Sequence, residues 1–294
     1  MSELVSPKQV AKAMGVSESS LKRWCDQGRI PTVRTAGGHR RLSVSAVMAF
    51  LQQSGASLVS PEILGLPPLT SGAGQRSLEK AQVALLEALT NGQEDEARQI
   101  VKQAYLAHHP MHSIADDVFA PTFHEIGLKW DCGDIAVYQE RHSCEIAMRI
   151  LTNLRRIATG PPAQAPLAIG GTLAHDHYCL SNALAELVLR DAGWNATSLG
   201  TNLPAETLVQ AITNRKPRLV WLSVSHYECE EQFVEDVNQI ADAITATGIP
   251  FLVGGRVLCE SLRRRIKFTA CCDSMQQLDS IARQLLLPPA HNSL

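Results

Sequence analysis

The chain has 294 residues, of which 45% are hydrophobic and 19% are charged, and its net charge is −2. This length allows two or three domains, and the composition excludes a chain that is disordered throughout. The apolar runs are shorter than the roughly 20 residues of a membrane span, and the first residues lack the apolar core of a signal peptide, so we expect a cytoplasmic protein.

Charge is distributed unevenly along the chain. Residues 1–53 carry eight lysines and arginines and three acidic residues, a net charge of +5, whereas the rest of the chain carries −7. A basic head on an acidic body predicts a polyanionic partner for the head alone. The eight cysteines are scattered without a CxxC pair, which argues against a zinc ribbon and predicts that most of them are buried, reduced thiols.

The head, residues 1–53, has the pattern of a helix-turn-helix. Ser6 and Pro7 are typical of a helix start, Gly15 ends that helix, and Ser17 caps the next one, "ESSLKRWCDQG". Two short helices joined by a tight turn place the second helix in a major groove. The candidate base-reading residues of this helix are Ser19, Lys22 and Arg23.

A wing follows the two helices. The segment "IPTVRTAGGHRRLS" predicts a strand, a Gly-Gly turn and a second strand, with basic side chains that suit phosphates and the minor groove. The candidate contacts here are Arg34, His39, Arg40 and Arg41. Together, "VSPKQVAKAMGVSESSLKRWCDQGRIP" and "RTAGGHRRLS" resemble the DNA-binding domain of the MerR family, which implies a homo-oligomer on a pseudo-palindromic double-stranded operator.

The remaining chain is expected to contain two further domains. Residues 54–76 are rich in Gly, Pro and Ser and are typical of a linker. Residues 77–158 are amphipathic throughout and predict a four-helix bundle that forms a cap. From 166 to 288, five strands alternate with helices, which predicts an α/β flavodoxin-like domain, a doubly wound parallel sheet of the Rossmann type.

Two histidines follow the first strand of this sheet. His175 and His177 lie in "IGGTLAHDHYCLSNAL", at the strand end where doubly wound domains bind ligands. A neutral imidazole there can ligate a transition metal, with Asp176 as a carboxylate that orients it.

A helical bundle before such a domain resembles the cobalamin-binding module of methionine synthases. With the head in front, the whole chain resembles the light-sensing regulators of the CarH type, a resemblance that implies adenosylcobalamin between bundle and α/β domain, a dimer or tetramer, and a repressor that light releases. In that family the loop reads acidic-x-His-x-x-Gly, and the histidine is an axial ligand of cobalt. His177 matches this histidine, His175 replaces the acidic residue, and Leu180 replaces the glycine.

The bundle carries a second part of the resemblance. The family pattern is Trp, nine residues, Glu-His, and Trp130 and Glu140 match it, which implies that Trp130 covers the upper face of the corrin. Arg141 holds the histidine position and His142 follows one step late, a rotation of about 100° on a helix. The resemblance also places Ser225, Gly254 and Gly255 near the nucleotide tail and corrin edge.

These departures leave other ligands and functions open. A bilin such as biliverdin, or haem, is the alternative tetrapyrrole, with Cys179 as a thioether anchor and His142, His175, His177 and Tyr178 as pyrrole contacts. A corrinoid-dependent methyl carrier and a metal-responsive regulator are the remaining alternatives. We expect no enzyme, because the sequence lacks GxSxG, P-loop and HExxH motifs.

Overall fold

The structure is a computed structural model that describes residues 4–35, 38–54, 60–65, 75–158, 160–162, 164–245 and 247–287. Its described residues divide into two compact units, one within 1–110 and 117–159, the other within 111–116 and 160–294. The first unit contains the head and the bundle, and the second contains the α/β domain.

The head is a winged helix-turn-helix. Its antiparallel strands follow the order β1-β3-β2, and its apolar core includes Val10, Leu21 and Leu42. The elements are β1 (Leu4–Val5), α1 (Pro7–Ala13), α2 (Glu18–Asp26), β2 (Val33–Arg34), β3 (Arg40–Ser43) and α3 (Val44–Ser54).

Part of the segment predicted as a linker packs on the head. A short 3₁₀ helix spans Pro61–Leu64, Ser60 N–H donates to Ala13 O at 3.0 Å, and Leu64 is 1% exposed within the core of the head. Leu106 of the bundle belongs to the same core cluster. The head and bundle therefore share apolar packing, while the domain limits at 53, 76 and 158 stay a prediction.

The bundle is built from amphipathic helices whose apolar sides are buried. Its helices are α4 (Gln75–Thr90), α5 (Glu94–Leu106), α7 (Ala120–Asp131) and α8 (Val137–Ile157), and α6 (Met111–Ser113) leads through a π-helical segment, Ile114–Phe119, into α7. Each helix contributes buried apolar residues to the interior, for example Leu85 from α4, Val101 from α5, Ile126 from α7 and Ile146 from α8.

The segment before α7 is held by the α/β unit. The carboxylate of Asp116 accepts the backbone N–H groups of Met275 and Gln276, at 2.9 and 2.8 Å, and so caps the first turn of the last helix. Met111 N–H donates to Asp191 at 3.4 Å. Residues 111–116 are thus part of the second unit, although they precede a bundle helix in sequence.

The α/β unit is a five-stranded parallel sheet in the order β5-β4-β6-β7-β8. This is the flavodoxin-like order, and it confirms the predicted fold class. The strand β6 is buried along its whole length, as expected for a sheet covered on both faces. The elements are β4 (Leu167–Gly171), α9 (Leu180–Asp191), β5 (Asn195–Ser198), α10 (Ala205–Arg215), β6 (Leu219–Ser223), α11 (Glu230–Thr245), β7 (Phe251–Gly254), α12 (Glu260–Arg263), β8 (Ala270–Cys272) and α13 (Met275–Leu286).

The prediction that most cysteines are buried is wrong. None of the eight forms a disulfide bond, but only Cys25 and Cys272 are buried, and burial raises the pKa of the Cys272 thiol to about 11. Cys132, Cys229 and Cys259 are exposed because they stand at helix ends. None of the helices in the described ranges is long and apolar enough to cross a membrane.

Candidate functional site

The turn of the helix-turn-helix is defined by its caps. Ser6 Oγ accepts the Gln9 N–H at 3.3 Å, and Gln9 Oε1 accepts the Ser6 N–H at 2.9 Å, which forms a capping box. Gly15 ends the first helix with a φ of +65°, a conformation that glycine adopts without strain. Ser17 Oγ then accepts the Ser20 N–H at 3.1 Å and starts α2.

Helix α2 buries one side and exposes the other. Leu21 and Cys25 are buried in the core of the head, and Trp24 packs on Phe50 with ring centroids 5.0 Å apart. The predicted base-reading residues Ser19, Lys22 and Arg23 are all exposed. The helix therefore presents polar and basic side chains outward from an apolar anchor, as a recognition helix requires.

The wing places its basic residues in two different settings. Arg34 and His39 are exposed on the β2–β3 hairpin, while Ala36 and Gly37 of its turn lie outside the described residues. Arg40 turns back and pairs with Asp26 of α2 at 2.8 Å. Because successive strand residues point to opposite faces, Arg41 lies on the face away from that ion pair. Arg40 therefore joins the wing to α2, while Arg41 is half-buried on the other face of the strand.

Exposed apolar side chains cluster around the turn between α7 and α8. Trp130 is 48% exposed and Tyr138 is 72% exposed, and Leu128 and Val137 are also exposed. Exposed apolar side chains at this density are typical of a binding surface. Trp130 is accordingly free to contact a ligand.

Glu140 and His142 lie on different sides of α8. Glu140 is half-buried, with one carboxylate oxygen 3.3 Å from Arg141 Nε and the other accepting the Cys144 thiol at 3.6 Å. His142 Nε2 lies 4.0 Å from where a Cβ at Gly92 would stand, so its ring faces the α4–α5 turn. The structure does not bring His142 together with Glu140, which fits their separation of about 200° around the helix.

The loop after β4 is organised around Asp176. Its carboxylate is 1% exposed and accepts three backbone N–H groups, from Tyr178 at 3.0 Å, Ser225 at 2.7 Å and His226 at 3.2 Å. These bonds join the loop after β4 to the loop after β6. The carboxylate of Asp176 thus accepts backbone N–H groups and holds the two loops together. This differs from the predicted role, which was to orient an imidazole.

The two histidines of this loop are both exposed. His175 has a left-handed backbone, with a φ of +67°, and its Nδ1 lies 2.8 Å from the exposed Glu228 carboxylate. His177 and Tyr178 point to the same edge of the sheet without burial, and Cys179 is half-buried at the start of α9. His177 therefore offers an accessible imidazole at the carboxyl edge of the sheet.

Ser225, Gly254 and Gly255 lie at the ends of β6 and β7. Ser225 Oγ lies 3.1 Å from Ser181 Oγ of α9. Gly255 has a φ of +146°, and a Cβ there would lie 1.8 Å from Val224 O, so only glycine fits. A Cβ at Gly254 would lie 2.9 Å from Cys272 O. Both glycines thus allow the backbone of neighbouring strand ends to approach closely.

Sequence reasoning missed a cluster inside the α/β unit. The indole of Trp221 on β6 covers Gly170 of β4, and its N–H donates to Asn182 Oδ1 at 2.9 Å. The available signal was a tryptophan within the buried run "LVWLS", where small or aliphatic residues pack more easily against α9.

Two parts of the chain match known domain families. Residues 4–55 match the helix-turn-helix domain family, and residues 82–155 match the B12 binding domain family. The chain is 25% identical over 276 residues to the HTH-type transcriptional repressor CarH of Myxococcus xanthus, which covers 86% of this chain and 91% of that protein. It is homologous to the CarH and CarA transcriptional repressors.

The similarity to the second repressor, CarA of Myxococcus xanthus, is 24% identity over 294 residues, covering 95% of this chain and 96% of that protein. Among solved structures, the monomethylamine corrinoid protein of Methanosarcina barkeri matches with a TM-score of 0.60 and 17% identity, covering 73% of this chain and all of that one. That likeness shows the fold alone. The chain thus combines a helix-turn-helix domain with a B12-binding domain and is homologous over most of its length to two transcriptional repressors.

The described residues fit one part of a corrinoid better than another. The exposed His177 imidazole could bind the metal of a corrinoid, and the exposed Trp130 could contact a flat ring. The side of β4 that faces α9, however, is filled by Trp221, since a Cβ at Gly170 would lie 2.2 Å from its indole. His177 thus offers an imidazole at the edge of the sheet, whereas the indole of Trp221 occupies the space beside Gly170 beneath α9.

Proposed function

We propose that the chain is a light-responsive, DNA-binding transcriptional repressor that uses a corrinoid, adenosylcobalamin, as its chromophore. One observation carries the proposal: the alignment with CarH spans 86% of this chain and 91% of that repressor, so head and body correspond together. The match of residues 82–155 to the B12 binding domain family supports the choice of ligand.

In this proposal the head binds DNA in two ways. Ser19, Lys22 and Arg23 read the major groove, and Arg34, His39 and Arg41 contact phosphates or the minor groove. Arg40 holds the wing in place through Asp26. Two or four copies bind a pseudo-palindromic operator in the cytoplasm, since a symmetric site is read by symmetric copies.

His177 would supply an imidazole nitrogen to the metal of a bound corrinoid, and Trp130 and Glu140 are the side chains of the bundle that would contact the ligand. An alkylated corrinoid would supply a metal–carbon bond that light can break, and its loss would change the contact of Trp130 and the assembly of copies on the operator. Further proposed contacts at the ligand edge are His142, Tyr178, Ser225, Gly254 and Gly255. His175 pairs with Glu228 and Asp176 binds backbone N–H groups, so neither is proposed as a contact.

The ligand assignment is tested by absorption spectroscopy of the purified full chain. After incubation with adenosylcobalamin in the dark and gel filtration, we expect coloured protein. His177→Ala should shift the visible bands and weaken binding because the axial imidazole is lost. His175→Ala is the matched control in the same loop, since its ring pairs with Glu228, and it should leave the bands unchanged.

The same preparation distinguishes the bilin alternative. Cys179→Ala should do little if the ligand is a corrinoid. Protein that stays colourless with adenosylcobalamin, but binds biliverdin so that the colour survives denaturation only when Cys179 is present, would contradict the proposed ligand and leave the DNA-binding function intact.

A further inference from the structure

The space between helix α9 and the strands β4 and β6, named here the α9 slot, is filled by an aromatic side chain. Gly170 of β4 and Trp221 of β6 are direct neighbours in the parallel pairing. A Cβ at Gly170 would lie 2.2 Å from Trp221 Cδ2, so the indole occupies the volume beside this glycine. Trp221 is only 2% exposed. Helix α9 therefore packs on a tryptophan where a glycine-lined strand alone would leave a recess.

Hydrogen bonds hold this indole in one position. Its N–H donates to Asn182 Oδ1 of α9 at 2.9 Å. The amide of Asn182 donates in turn to Ser198 Oγ at 2.7 Å and to Gly200 O at 3.3 Å, which ties the indole to the end of β5. Asn182 is 3% exposed, so displacing the indole would leave a buried amide oxygen without its donor.

A chain of hydroxyl groups closes the outer end of the α9 slot. Ser223 Oγ donates to Ser181 Oγ at 2.9 Å, and Ser181 Oγ lies 3.1 Å from Ser225 Oγ. The backbone N–H of Ser225 is bound by Asp176. These contacts join α9 to the end of β6 and to the loop after it, beside the loop that carries His177.

This packing bears on which corrinoids can bind. Cobalamin carries a benzimidazole nucleotide below its ring, and cobinamide is the same ring without that nucleotide. An open recess beneath α9 would bury the base and favour cobalamin strongly, because aromatic burial contributes much of the affinity of such a ligand. A recess that Trp221 already fills cannot bury the base, so the base adds nothing to the affinity.

We propose that this domain recognises the corrinoid ring alone and leaves the nucleotide tail outside, and that Trp221 is the residue that determines this specificity. The inference rests on the proposed corrinoid function and deepens it. The ligand class is then corrinoids with or without a lower nucleotide. Cobinamide, whose lower position is open, reaches the His177 imidazole without displacing a base of its own.

The test compares two ligands on the unmodified full chain. Adenosylcobinamide and adenosylcobalamin are titrated in the dark and followed by absorption. We expect cobinamide to bind at least as tightly as cobalamin, and its Kd should in no case be more than about threefold higher. A Kd for cobalamin that is lower than this limit allows would overturn the inference and leave the proposed function standing. Binding of neither ligand would overturn the proposed function, and the inference with it.

A pair of variants assigns the effect to Trp221. Trp221→Ala removes the ring and should shift the affinity ratio toward cobalamin by about tenfold, because the base can then be buried. Trp221→Phe keeps an aromatic ring in the α9 slot and should leave the ratio as in the unmodified chain. Circular dichroism checks that both variants fold. A folded Trp221→Ala with an unchanged ratio would contradict the role of this residue.

Discussion

At the scale of single residues, the two adjacent arginines of the wing have different surroundings. Arg40 is paired with Asp26 at 2.8 Å, and its side chain is 25% exposed. Arg41 follows it on the strand and so points to the opposite face. A charge that is already paired releases fewer counterions when DNA binds, so these neighbours should contribute unequally to affinity.

We therefore expect Arg41→Ala to lower the salt-dependence slope of DNA binding by about one, because one phosphate contact is lost. Arg40→Ala is the matched control and should change this slope less, since Asp26 already compensates its charge. The measurement is fluorescence anisotropy of a random-sequence duplex with the full chain at several salt concentrations. Equal slopes for the two variants would contradict the distinction.

The sequence predicts this basic wing, but it does not predict that Arg40 and Arg41 have different surroundings. Lys and Arg beside a Gly-Gly turn indicate phosphate contact for all of them alike. The pairing of Arg40 with Asp26 depends on how the hairpin lies against α2, a tertiary contact that no local pattern encodes. The same holds for Asp176, whose partners Ser225 and His226 follow a different strand.

At the scale of elements, Asp176 is the main connection between the loops after β4 and β6. These loops flank the point between β4 and β6 where the strand order reverses, and one of them carries the candidate ligand His177. A buried carboxylate that accepts three N–H groups holds both loops in register.

Asp176→Ala should lower the free energy of unfolding by about 2–4 kcal/mol, because three N–H groups lose a charged acceptor. Glu228→Ala is the control in the facing loop. Its ion pair with His175 joins side chains that are 69% and 62% exposed, so the loss should stay below about 1 kcal/mol. Urea unfolding followed by circular dichroism measures both, and a loss for Asp176→Ala no larger than for Glu228→Ala would refute the bridging role.

The elements themselves follow closely from the sequence. Helix caps such as Ser6 and Ser17, and the alternation of short apolar runs with amphipathic stretches, predict the winged head, the helices and the flavodoxin-like order of strands. What the patterns cannot give is which distant side chains share a core. Leu64 in a Gly- and Pro-rich segment, Leu106 in the bundle and Trp221 in the sheet each pack on partners far away in sequence.

At the scale of the whole molecule, a helix-turn-helix domain and a B12-binding domain are combined in one chain that is homologous to the repressors CarH and CarA. Ligand binding can control DNA binding only if the ligand has different affinities for the DNA-competent and incompetent states. Leu106 packs in the core of the head, so the bundle is in direct contact with the head.

The most direct test of this coupling is the affinity of the full chain for an operator recovered by in vitro selection. It is measured without ligand, with adenosylcobalamin in the dark, and with the same sample after illumination. We predict that adenosylcobalamin raises the affinity by about tenfold or more in the dark and that light reverses the gain. Identical affinities in all three conditions would contradict the account.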